Sequence, residues 1–96
     1  MTFDEFAKLR EQASPPPLPS ALVGLWHDYR DDWDGAHRAV QADEGREAAW
    51  VHAYLHRKEG DLSNADYWYR RAGREAPAVE LDDEREAIAR ALLAAT

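Results

Sequence analysis

Apolar side chains recur along this chain at intervals of three and four, the spacing that gathers them on one side of an α-helix. Phe3, Phe6, Leu9 and Ala13 mark a first helix of about three turns, and Thr2 with Glu5 fits a capping box. The run Ser14-Pro15-Pro16-Pro17-Leu18-Pro19 must end it, because proline lacks the amide donor and crowds the preceding turn. From Ser20 onward Leu22, Leu25, Trp26 and Tyr29 share a helical face that stops near Asp31-Asp32. Asp32 is placed to cap the next helix, lined by Trp33, Ala36, His37 and Val40. Glu47 to Lys58 carries Trp50, Val51, Tyr54 and Leu55 on one side, with Gly60 as its stop. Ala65, Trp68, Tyr69 and Ala72 line the element that follows. Asp82 or Asp83 can cap a last helix with the stripe Ile88, Ala91, Leu92 and Ala95. No segment alternates with period two, so no sheet is predicted.

The expected fold is therefore all-α, one domain forming a compact bundle of about five helices. Its parts are an N-terminal helix (1–13), a proline-rich linker (14–19), a first helical hairpin (20–43), a second (46–76) and a C-terminal capping helix (82–96). A shift of 29 residues sets Trp26 on Leu55, His27 on His56, Asp32 on Asp61, Trp33 on Leu62, Ala36 on Ala65 and Val40 on Tyr69. Core positions of the hairpins thus correspond, and the shared alanine lets paired helices approach closely.

The segment Gly60 to Ala72, closed by Pro77, has a small residue at Ala65, an aromatic at Tyr69 and a terminal proline. It resembles a tetratricopeptide-type repeat. Asn64-Ala65-Asp66-Tyr67-Trp68-Tyr69-Arg70-Arg71-Ala72-Gly73 is especially similar to the second helix of Sel1-like units. The likeness spans Ala49 to Pro77 and, more loosely, Ala21 to Ala42. It departs at Trp50, which sits one position late, and at His52 and His56, where that family usually has leucine and tyrosine. The chain also resembles short bacterial proteins that combine Trp33-Asp34-Gly35-Ala36-His37 with Trp50-Val51-His52-Ala53-Tyr54-Leu55-His56-Arg57. These resemblances imply packed helical hairpins, with the end helices covering apolar faces that two repeats leave open.

Composition narrows the function classes. A formal charge of −7 argues against a nucleic-acid binder, which needs cations to displace condensed counterions. The absence of cysteine excludes disulfides and thiolate metal sites. No apolar run reaches the roughly 20 residues that cross a bilayer, and the start Met1-Thr2-Phe3-Asp4-Glu5 is acidic where a signal peptide is basic. A cytoplasmic protein that contacts neither membrane nor nucleic acid is expected.

Two sets of residues carry candidate chemistry. His52 and His56 lie one turn apart on a helix, on the side away from Trp50, Val51, Tyr54 and Leu55. With His37 from the preceding helix they form a candidate set of imidazole ligands for one divalent metal; Glu44, Glu59 or Asp66 could add an acidic ligand. No glutamate follows His52 to act as a zinc-protease base. Arg57, Tyr67, Arg70, Arg71 and Arg74 form the second set, a cationic surface with one exposed aromatic suited to an acidic partner. Ser14, Ser20 and Ser63 fall in the linker or at helix starts, where capping accounts for them. The leading expectation is a non-catalytic protein-interaction module that needs no cofactor and binds a protein or peptide. The alternative is a metal- or small-ligand-binding protein, an enzyme included, built on His37, His52 and His56. Exchange of the Phe3/Phe6 helix between copies would give a homodimer.

Overall fold

The structure, a computed structural model, describes every residue from Met1 to Thr96. It is all-helical: α1 (Phe3–Lys8) continuing into a 3-10 turn (Leu9–Glu11), α2 (Ser20–Tyr29), α3 (Trp33–Gln41), α4 (Arg46–Lys58), α5 (Leu62–Ala72) and α6 (Leu81–Ala94). Six α-helices stand where the sequence suggests a bundle of about five. The first helical stretch ends at Glu11, which leaves Ala13 exposed ahead of the prolines.

Local chemistry sets most boundaries. Thr2 and Glu5 form the expected capping box. Asp32 caps α3 by accepting the Gly35 amide at 2.9 Å, and Asp61 caps α5 by accepting that of Asn64 at 3.4 Å. Helix α5 ends at Gly73, whose φ of 73° lies in the left-handed region open to glycine. Neither Asp82 nor Asp83 caps α6. The helix begins earlier, at the half-buried Leu81 that packs on the core, so both aspartates fall in its first turn. There their charge meets the positive end of the helix dipole.

Helix α2 packs on α3 and α4 on α5, while α4 also touches α2, α3 and α6. Covered from several sides, α4 buries Ala48, Ala49, Val51, His52, Ala53, Tyr54, Leu55 and His56. Gly24 permits the close approach of α2: a Cβ there would stand 2.7 Å from Val40 Cγ1 and 3.3 Å from Val51 Cγ1. Helix α6 uses Ile88 and Leu92 as expected, but buries Ala89 and Leu93 and leaves Ala91 and Ala95 exposed. Its stripe is rotated because α6 must cover α1 as well as α4. The Cα radius of gyration, 12.1 Å, matches the ~12.5 Å of a compact domain this long.

The N-terminal helix docks on its own chain. Phe6 is fully buried, and the rings of Phe3 and Phe6 meet Tyr29 edge to face at 6.4 and 6.2 Å. Trp26 Nε1 donates to the Leu9 carbonyl at 2.6 Å, and Arg30 donates to the carbonyls of Arg10 and Gln12. No exchange with a second copy is required to bury this helix.

Buried ion pairs fasten α6. Asp28, completely inaccessible, accepts from Tyr54 Oη at 2.6 Å, Lys58 Nζ at 2.8 Å and Arg85 Nη1 at 3.1 Å. Glu84 accepts from Arg57 Nη1 at 2.7 Å and from the Tyr69 hydroxyl. Burial first, and the carboxylate hydrogen bonds second, push the Tyr54 and Tyr69 hydroxyls up from the ordinary phenol range.

Candidate metal centre

Helix geometry alone places His52 and His56 over one another, one turn apart on α4. Their rings stack with centroids 4.9 Å apart. Helix α3 crosses this face and presents His37, whose Nε2 lies 3.0 Å from His52 Nε2. One of these nitrogens carries the proton and donates to the other. One ligand atom from each of His37, His52 and His56 lies within 4.8 Å of the others. Two nitrogens bound to one tetrahedral ion at ~2.1 Å each would stand ~3.4 Å apart, so the imidazoles need small adjustments to share a metal.

The expected position of the pair, opposite the Trp50/Tyr54 side, holds in angle, but that side is not free. Helices α3 and α5 cover it, and both histidines are buried. Aromatic neighbours fix the rings. Trp68 of α5 lies flat on His52, with centroids 3.9 Å apart and planes 13° from parallel. Trp33 stacks on His37 at 5.0 Å, and its own Nε1 donates to the Leu55 carbonyl at 2.8 Å.

Glu59 takes a supporting position. Its Oε1 accepts from His56 Nδ1 at 2.6 Å, which sets the tautomer and leaves the lone pair on Nε2. Asn64 Nδ2, from the first turn of α5, donates weakly to that lone pair at 3.4 Å. Of the acidic residues expected as a fourth ligand, Glu59 thus serves His56 from behind, and Glu44 and Asp66 do not join the cluster. Burial, followed by the charges of His37 and His56, lowers the His52 pKa to about 4. Burial and then the charge of His56 also hold His37 below the usual imidazole range. Both therefore stand neutral at pH 7, the form in which imidazole binds metal.

Comparison with protein-family models, curated proteins and solved structures returned no match. The chemistry of this chain rests on its own residues.

The second expected set is divided. Arg57 turns inward to Glu84 and the Val79 carbonyl, with its side chain one-fifth exposed (20%). Arg70, Arg71, Arg74 and Tyr67 remain at the surface. The Arg71 guanidinium lies over both Tyr67 and Trp68, at 5.9 and 5.2 Å, and that of Arg74 lies 3.4 Å from the centre of the Trp50 ring. Sequence reasoning missed Asp28 and Asn64. Asp28 reads as one more acid in an exposed helix end, and nothing in the pattern marks it as buried. Asn64 was not singled out because its contact with His56 joins two helices and no local pattern marks it.

Proposed function

We infer that the protein binds one divalent transition-metal ion through His37, His52 and His56. The observation that carries this reading is the convergence of these imidazoles from two helices within 4.8 Å. Several features support it. His37 and His52 are neutral at pH 7, so binding releases no net proton from them; the ring whose Nε2 carries the hydrogen shifts it to Nδ1. Glu59 aims the Nε2 lone pair of His56, as carboxylates do behind metal-bound histidines. Trp33 and Trp68 hold the rings in place before an ion arrives. An all-nitrogen set suits zinc, nickel or cobalt better than the hard, oxygen-seeking magnesium or calcium. Thermal unfolding with and without each ion tests this, because a ligand selective for the folded state raises the midpoint. Zinc or nickel should raise it and magnesium should not. The shift should vanish in His52→Ala, and a shift retained there would sink the assignment.

The arginine–aromatic face supports a second reading, a helical-hairpin module of tetratricopeptide or Sel1-like type that binds an acidic peptide. A groove of about 490 Å³ runs beside the Arg74–Trp50 stack and is edged by Arg46, Gly73 and Leu92. Its cations stand out in a chain of net charge −7. Replacing Arg70, Arg71 and Arg74 together with alanine should abolish capture of a Glu-rich peptide at low salt. Capture unchanged by that replacement, or by 0.5 M salt, would refute it; exposed charge pairs are screened within about 10 Å even at ~0.1 M.

A further inference from the structure

We propose that Asn64 is the fourth ligand of the metal centre, binding through its side-chain carbonyl oxygen, so that the ion sits in a closed His3Asn site. The proposal rests on the metal reading above. Asn64 lies in the first turn of α5, where the Asp61 cap holds its backbone amide. One turn further along the same helix, Trp68 lies flat on His52. Both side chains therefore project from α5 onto the centre, Trp68 against one imidazole and Asn64 against the next.

The decisive contact is the 3.4 Å between the Asn64 amide and His56 Nε2, the nitrogen left free by the Glu59 hydrogen bond. That separation equals the ~3.4 Å edge expected between neighbouring ligands of a tetrahedral ion. Without metal, the amide N–H donates to the imidazole lone pair. Once an ion takes that lone pair, an N–H aimed at the same place faces a cation and is disfavoured. Half a turn of the amide about its Cβ–Cγ bond exchanges N–H for C=O, and the carbonyl oxygen then faces the ion. An asparagine can serve both states; a carboxylate here would instead have required a proton or a cation to face it. No covalent bond or proton transfer is involved.

A closed site differs in behaviour from an open one. Catalytic zinc keeps a position for water or substrate, whereas structural ions are fully ligated by protein. Asn64 would make this centre a clip joining α3, α4 and α5, with no position for an exogenous anion. Cobalt(II) is the probe, because its visible bands are intense in tetrahedral sites and weaken as ligands are added, and azide probes for an open position. The wild-type protein should take up cobalt(II) with intense bands that azide leaves unchanged. Asn64→Ala should bind cobalt(II) about ten-fold more weakly, and azide should now alter its spectrum. Asn64→Asp, which keeps an oxygen in place, should restore both tight binding and indifference to azide. An azide response in the wild type, or unaltered cobalt(II) affinity in Asn64→Ala, would overturn the role of Asn64 and leave the three histidines standing. Failure of the wild type to bind cobalt(II) at all would remove the centre itself.

Discussion

His56 donates its Nδ1–H to Glu59 Oε1 across 2.6 Å, at the point where α4 ends and the chain turns into α5. The contact orders the ring from behind and leaves its Nε2 to face the Asn64 amide at 3.4 Å. Glu59 is exposed, so it costs little to hold in place. Replacing it with alanine should weaken zinc binding by about 10- to 100-fold, the range for such supporting groups, with little change in the stability of the metal-free protein. Competition with a chromophoric chelator reads the affinity. Equal affinity in Glu59→Ala would show that the contact plays no part in binding.

Metal-free His52 should make stability depend on pH. Its folded pKa of about 4 lies below the ordinary 6.5, so the unfolded chain binds the proton more readily. Stability contributed by this group is complete above pH 6.5 and is lost as pH falls toward 4, then levels off. The loss should reach about 3 kcal/mol at most. Urea unfolding in the presence of a chelator, at pH 7.5 and pH 4.5, measures it. In His52→Leu the slope should flatten, and a slope as steep as in the wild type would assign the effect to other groups.

Asp28 should be among the costliest residues to change. Alanine there strands Lys58 and Arg85 without their buried carboxylate, a loss of about 3–5 kcal/mol. Tyr54→Phe deletes only one hydrogen bond to Asp28, about 1.5–3 kcal/mol because that acceptor is charged. Chemical denaturation of both variants tests this order, and a smaller loss for Asp28→Ala than for Tyr54→Phe would contradict the network.

Gly24→Ala sets two effects against each other. Alanine favours the helix by about 1 kcal/mol, but its Cβ would meet Val40 Cγ1 at 2.7 Å, and overpacking costs about 1–3 kcal/mol. Net destabilisation of about 1 kcal/mol is expected, read as a lower melting midpoint. A stabilised variant would mean that α2 and α3 can part without cost.

Much of this fold is legible in the sequence because it is local. The Thr2–Glu5 and Asp32 caps, the proline stop and the three-and-four spacing of Leu22, Leu25 and Trp26 depend on neighbours along the chain. The pairing of His37 with His52 was also within reach, since consecutive helices joined by a short turn tend to pack together. What escaped depends on the third dimension. Arg57 reads as a surface cation until Glu84, 27 residues away, is seen to meet it. Asp28 and Lys58 are 30 residues apart and share no motif. Helical period tells which residues share a side of α4; it does not tell that α5 will cover the side bearing the histidines.

Calorimetric titration of zinc into the metal-free protein at pH 7.5 tests the central claim most directly. One ion per chain should bind to the wild type, with affinity lost in His37→Ala, His52→Ala and His56→Ala alike. Absence of binding, or binding that survives all three substitutions, would contradict a centre made of His37, His52 and His56.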